Sequence, residues 1–163
     1  MVTLQKITWY NFKKVISLKV TPEQEDFIAD NLYSLAQSYV ALSNGEKPYP
    51  FAAFDDDECI GFVLMAFEEK GTTDEDGRVS EENEFYICRF MIDKDRQGKG
   101  YGRELLKLCI EWIIVNTGVR PLVIRLSYNE DNEVARKLYT CCGFVETGEK
   151  TDNGEVVAKL YIR

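Results

Sequence analysis

The chain has no histidine among its 163 residues. That absence excludes every Ser-His or Cys-His nucleophilic pair and leaves acid–base work to Glu, Asp, Tyr, Lys, Cys or water. The five cysteines (Cys59, Cys88, Cys109, Cys141 and Cys142) are odd in number and lack metal-ligand spacing. Cys141 and Cys142 are adjacent with no CxxC companion, so no zinc site, other metal site or disulfide framework is expected. They read as free thiols in a reducing compartment. No run of about 18 apolar residues exists, which argues against a membrane span. The start Met1-Val2-Thr3-Leu4-Gln5-Lys6 lacks the basic region, apolar block and cleavage site of a signal peptide, so a cytoplasmic protein is expected. Positive charge is also short: 20 Lys and Arg against 28 Asp and Glu give a net charge of −8. A nucleic-acid partner needs a basic face and is not expected.

What is present is ordinary for one globular domain over residues 1–163, with 45% hydrophobic and 29% charged residues. The acid is unevenly placed. Glu68, Glu69, Asp74, Glu75, Asp76, Glu81, Glu82 and Glu84 face only Lys70 and Arg78, so this segment carries −6 of the −8. It reads either as a solvated loop or as a field that draws in a cationic small molecule.

Strand and helix patterns alternate along the chain. Leu4 to Ile7 reads as a strand and Phe12 to Leu18 as a helix. Thr21-Pro22-Glu23 is a helix-start signal, followed by Phe27, Ile28, Leu32, Leu35 and Ala36 at helical spacing. After the breaker Lys47–Pro50, the runs Phe51–Phe54 and Cys59–Phe67 form a hairpin about the acidic turn Asp55–Glu58; that turn lacks the 12-residue pattern of a calcium loop. A strand follows over Glu84 to Ile92, then a helix over Tyr101 to Val115 closed by Thr117-Gly118. Leu122–Leu126 is a strand and Glu133–Cys141 a helix with Gly143 as its C-cap. Strands Phe144–Glu146 and Val156–Ile162, joined through Asp152-Asn153-Gly154, end the chain. The pattern is an α/β domain with a mixed sheet.

Residues 90–106 say most about function. The strand Phe90-Met91-Ile92 feeds a turn with Gly98, Gly100 and Gly102, and a helix starts at once. Glycines admit close approach and positive φ. The first helical turn offers unpaired N–H groups and the positive end of the dipole, which together suit a phosphate or pyrophosphate. A Walker loop would need G-x-x-x-x-G-K-[ST], and a dinucleotide fingerprint G-x-G-x-x-G early in the chain. Neither is present. What remains is Gln97-x-x-Gly100-x-Gly102.

That pattern resembles the acyl-CoA motif of the GNAT family of N-acetyltransferases. Asn132-x-x-Ala135-x-x-Leu138-Tyr139-x-x-x-Gly143-Phe144 resembles the second signature of the same family, at the expected downstream spacing. Within it, Arg89–Asp93, Gln97–Gly102, Pro22-Glu23-Gln24 and Asn31–Gln37 resemble bacterial spermine/spermidine acetyltransferases. The resemblance implies a mostly antiparallel central sheet with a splayed strand pair and helices on both faces. It implies acetyl-CoA as co-substrate, held by the backbone of Gln97, Gly98, Lys99, Gly100, Tyr101 and Gly102, with Met91 and Ile92 pairing to the pantetheine arm and Asn132 contacting CoA. Tyr139 would be the general acid for the departing thiolate. The base is open: Cys88 stands where some relatives carry a glutamate, and Glu84, at the start of the same strand, is the carboxylate in reach. Glu23, Glu25, Glu82 and Glu84 could hold a cationic amine such as a polyamine. Acetylation of an aminoglycoside or peptide amine, or an acyl-CoA sensor on the same fold, are the alternatives. Relatives commonly form homodimers, and a homodimer is implied on that ground.

Overall fold

A computed structural model describes residues 1–73, 79–120 and 122–163. The central strand β3 (Glu58–Glu68) is buried along most of its length because both of its faces are covered. Val63 and Met65 enter one core while Phe62 and Leu64 enter the other, as strand alternation requires. Helices α1 (Phe12–Ser17) and α2 (Asn31–Ser43) lie on the Phe62 side, where Val15 and Leu18 of the α1 region pack. Helix α3 (Tyr101–Thr117) covers the other side with Leu105, Leu106, Cys109 and Ile113, joined by Tyr139 of α4 (Glu133–Cys141).

The sheet includes β1 (Val2–Lys6), β2 (Pro48–Asp55), β4 (Glu84–Ile92), β5 (Leu122–Tyr128), β6 (Val145–Lys150) and β7 (Val156–Ile162), in the order β1-β2-β3-β4-β5-β7-β6. Every neighbouring pair is antiparallel except β4–β5. That parallel pair lasts three residues, Glu84–Tyr86 against Val123–Arg125, and then stops. The cause lies on the other edge of β4. Leu64 pairs with Arg89 and Met65 with Ile87, so Cys88 has no residue opposite it. Such a bulge bends and twists its strand. Beyond it β4 leaves β5, and its backbone from Ile87 onward is unpaired on that side.

The sheet and helices α1, α3 and α4 follow the sequence pattern, except that β2 begins at Pro48, inside the expected breaker, and the Asp55–Glu58 tetrad turns a hairpin with Asp56 at φ 51°. One helix differs. The start signal at Thr21 closes a capping box that opens only a six-residue 3-10 helix, Pro22–Phe27. The longer helix begins at Asn31, where the Asp30 side chain accepts from the Tyr33 amide at 2.7 Å. Asp74, Glu75, Asp76 and Arg78 of the acidic segment lie outside the described residues.

Gly61 sets the distance between β3 and β4. A Cβ there would stand 2.6 Å from the Met91 carbonyl oxygen and 3.0 Å from Ile92 Cδ1. The first contact is backbone and cannot swing away. Gly61→Ala is therefore expected to lower stability by about 1–3 kcal/mol, as overpacked sites do, read from the urea unfolding midpoint.

Candidate active site

Three pieces of chain converge where β4 and β5 part. The first is the glycine turn. Gly98 (φ 75°) and Gly100 (φ 87°) are both left-handed, a conformation that costs other residues about 1–2 kcal/mol. Gly100 occupies the N-cap of α3 and brings no side chain to close it. Among the described residues, none of the amides from Gln97 to Gly102 donates to another group of the chain. A Cβ on Gly98 or Gly100 would meet nothing within 4 Å, so the cradle is open. Unpaired amides at the start of a 17-residue helix form a site for a phosphate-type anion.

Side chains around the turn hold it in place and do not fill it. Gln97 donates through Nε2 to the Ile92 carbonyl at 3.0 Å and to Gln24 Oε1 at 2.8 Å, and its Oε1 accepts from Gln24 Nε2 at 3.2 Å. Asp93 accepts from the amides of Lys19 and Asp95 at 2.9 and 3.1 Å. Tyr101 turns its hydroxyl away, onto Asp55 Oδ2 at 2.7 Å, and Lys99 Nζ folds back to the Asp95 carbonyl at 3.1 Å. What Lys99 and Tyr101 present to the cradle is their backbone.

The second piece is α4. Asn132 caps it, its Oδ1 accepting from the Ala135 amide at 3.1 Å, which leaves its amide nitrogen for another partner. Leu138 Cδ2 lies 3.5 Å from where a Cβ on Gly102 would stand, so α4 packs directly on the start of α3. Tyr139 is 8% exposed. Its ring sits between the two parted strands, 6.3 Å from Phe90 of β4 and 5.5 Å from Tyr128 of β5, with Phe144 at 6.0 Å behind. Burial pushes the phenol well above its ordinary range, and nearby Tyr128, Cys109 and Glu155 add to the shift. Among the described residues no hydrogen bond bears on it. The result is a hydroxyl that keeps its proton and has no described partner for it.

The third piece is the edge of β4 that β5 leaves beyond Tyr86, which an extended ligand can join as an added strand does, although the Ile92 carbonyl there already accepts from Gln97.

This combination matches a known family. The profile of the Acetyltransferase (GNAT) family covers residues 11–144. The chain belongs to that family. It is an acetyltransferase whose acyl donor is acetyl-CoA. It is 28% identical over 160 residues to the spermine/spermidine N(1)-acetyltransferase of Bacillus subtilis (strain 168), covering 96% of this chain and 95% of that protein. Among solved structures, it resembles a spermidine N-acetyltransferase from Vibrio cholerae in complex with CoA and spermine, with a TM-score of 0.70 and 20% identity, over 99% and 94% of the two chains. An aminoglycoside acetyltransferase in complex with coenzyme A gives a TM-score of 0.76 at 19% identity, over 99% and 95%. At such identities the two structures establish the fold alone.

The acetyltransferase's acidic residues stand differently from what a cation site would need. Glu84 is 7% exposed and doubly engaged, with Oε1 3.0 Å from Lys159 Nζ and Oε2 3.6 Å from Arg125 Nη1. Arg125 also donates to Tyr86 Oη at 2.7 Å and stacks over that ring. A base needs a free lone pair facing the amine, whereas this carboxylate ties β4, β5 and β7 together at the closed end of the gap. Of the two roles that the sequence leaves open for Glu84, base or strand-end acid, this placement favours the second, though the carboxylate is buried and not exposed. Glu82 is exposed, 3.9 Å from the same Lys159. Glu23 and Glu25 sit on the exposed 3-10 helix, which the Gln24–Gln97 pair fastens beside the glycine turn. Glu23 is held ionised by its own amide and the Thr21 hydroxyl. From Glu84 to Ile92 the strand runs about 26 Å, so the two acid pairs lie at opposite ends of β4 and make no single site.

Two features were not expected. Cys88 occupies the bulge, exposed, with Sγ 3.9 Å from the Tyr86 carbonyl. Next to it Arg89 donates through Nη1 to the Cys88 carbonyl at 2.8 Å and through Nη2 to Gln37 Oε1 of α2 at 3.0 Å. Its Nε is buried with no hydrogen-bond partner among the described residues. Arg125 and Lys159 did carry a signal: each is a lone cation within an apolar strand, where a buried acid partner is required.

If the free amides hold the diphosphate, their geometry depends on glycine φ values. Gly100→Ala should weaken acetyl-CoA binding about tenfold, the equivalent of the ~1–2 kcal/mol left-handed penalty. Isothermal titration that returns a dissociation constant within twofold of the unsubstituted protein would remove the loop from the binding site.

Proposed function

We propose that the chain acetylates a primary amine of a polyamine such as spermine or spermidine, by direct attack within a ternary complex. The observation that carries the transfer chemistry is Tyr139: a largely buried phenol with no hydrogen-bond partner among the described residues, at the mouth of a strand gap beside an open anion cradle. The polyamine reading is supported by the names of the curated relatives, which align over 96% of the chain, and by the net charge of −8, which concentrates cations near the surface.

When bound, acetyl-CoA supplies the carbonyl that the amine attacks and the thiolate that leaves. The amides of Gln97 to Gly102 fix the diphosphate, and the backbone of Met91 and Ile92 lies along the arm that leads to the gap. One adjustment accompanies that pairing, because Gln97 already donates to the Ile92 carbonyl. Asn132, with its Oδ1 committed to the helix cap, contributes its amide nitrogen. Tyr139 passes its proton to sulfur as the C–S bond breaks and the C–N bond forms. The ammonium sheds one proton to solvent before attack, and the second, released from nitrogen as the C–N bond forms, returns through water to the tyrosinate; Glu84 takes no part in that path, because Lys159 and Arg125 hold it. Glu82, Glu23 and Glu25 are exposed acids along the approach and act through field, not contact.

The test pairs a thiol-release assay over an amine panel (spermine, spermidine, an aminoglycoside, a lysine peptide) with Tyr139→Phe. Spermine or spermidine should turn over fastest. Tyr139→Phe should lower kcat about 10²–10⁴-fold, the range of general acid catalysis, while acetyl-CoA affinity stays near that of the unsubstituted protein. Because burial raises the phenol, it stays protonated up to and beyond pH 10, so no alkaline loss of kcat below that pH should come from Tyr139. A preference for the aminoglycoside would reassign the amine. Unchanged turnover in Tyr139→Phe would remove the acid, and no turnover with any amine would favour a sensor.

A further inference from the structure

Among the described residues no hydrogen bond fixes the Tyr139 ring, so its place is set by the rings around it: Phe90, Tyr128 and Phe144. Of these three, Tyr128 alone carries a polar handle, and that handle is tied. Tyr128 ends β5 and is buried. Its hydroxyl donates to Glu146 Oε1 of β6 at 2.6 Å. That is the short distance, about 2.5–2.7 Å, of a hydroxyl on an ionised oxygen. The strand between them, β7, sets Ala158 beside Glu146, and so small a side chain leaves room for the phenol to cross.

The same oxygen takes a second bond. Arg136 of α4 donates through Nε to Glu146 Oε1 at 2.9 Å and through Nη1 to Glu133 Oε1 at 3.0 Å. Arg136 stands three residues before Tyr139, one turn back on the same helix. The contacts therefore close a ring. It runs along α4 from Tyr139 to Arg136, through one carboxylate oxygen on β6 to Tyr128, and returns to Tyr139 across 5.5 Å between ring centroids. The elements it joins need such a tie, because β6 pairs with β7 only at Val145, Glu146 and Lys150, and all of its residues are exposed. A surface ion pair alone would do little. This carboxylate also holds the hydroxyl of a buried ring, which cannot swing aside without leaving its acceptor. The two phenols are divided accordingly. Burial and the bond to Glu146 raise the Tyr128 phenol above its ordinary range, so it stays a donor committed to Glu146. Tyr139 has no such commitment among the described residues.

We infer that Tyr128 is a positioning residue for acetyl transfer: held by Glu146 and Arg136, it fixes the Tyr139 ring in the mouth of the gap. The inference rests on Tyr139 as the acid and not on which amine is acetylated. Tyr128→Phe removes the hydroxyl and keeps the ring. It should lower kcat about tenfold, as a slight misplacement of a reacting group does, with the acetyl-CoA dissociation constant within about twofold of the unsubstituted protein. Glu146→Leu should match it, and the double variant should fall no further, because both changes open the same clamp. Glu146→Gln, whose amide oxygen still accepts, should recover most of the rate. A second readout needs no amine. In NMR spectra of ring-labelled tyrosine, the Tyr139 signal, assigned by its loss in Tyr139→Phe, should broaden in Tyr128→Phe and Glu146→Leu and sharpen again in Glu146→Gln. A Tyr139 signal that Tyr128→Phe leaves unaltered would overturn the inference. So would a kcat unmoved in Tyr128→Phe while Tyr139→Phe is impaired, or losses that multiply in the double variant; each of these leaves the acid in place. Unchanged turnover in Tyr139→Phe would overturn both.

Discussion

The partial union of β4 and β5 is the constraint on which the rest depends. Parallel strands normally continue their ladder, since each residue added gains backbone hydrogen bonds. Here three residues pair and six do not. Two opposing local features hold that state. At the near end Glu84, Arg125 and Lys159 bind three strands through one buried carboxylate, an arrangement that would be costly to break because it strands charge away from water. At the far end the Cys88 bulge turns β4 aside, and Arg89 bonds the bulge carbonyl while reaching Gln37 of α2. The gap is therefore anchored at one end and bent open at the other, and α4 places a tyrosine in its mouth.

Much of this was legible in sequence, and the limits follow physical lines. Strands such as Cys59–Phe67 and Val156–Ile162 declared themselves through apolar runs, and α3 through its glycine start and helical spacing. The glycine turn was legible because positive φ is a property of single residues. The bulge was not, because it belongs to the pairing of two strands and leaves no mark in Tyr86-Ile87-Cys88-Arg89 alone. Helix α2 misled for a different reason. Leu32, Leu35 and Ala36 recur at helical spacing, yet of these Leu35 alone packs on the core, beside Ser34 and Ser38, whose hydroxyls bond the backbone one turn back and need no partner there. Glu84 stood among the candidate bases because its position on the strand was visible while its partners, 41 and 75 residues further on, were not.

The missing histidine places an unusual load on the proton economy of the site. An alkyl amine with a pKa of about 10.4 is neutral in roughly one molecule in 2,500 at pH 7, equivalent to about 4.6 kcal/mol. On the proposed reading no carboxylate is free to remove that proton at the gap. Arg89 stands at the bulge, whereas Arg125 and Lys159 are matched by Glu84 at the closed end. A like charge lowers the pKa of an incoming ammonium group, so on that reading Arg89 favours the neutral amine. The overall charge of −8 acts at longer range and in the opposite sense, raising the local concentration of the cation before it enters. Attraction at a distance and proton release at close range are compatible because screening within about 8–10 Å separates them in space. On the same proposed reading a buried phenol that holds its own proton completes the division of labour: it gives to sulfur, and the amine's first proton leaves by water.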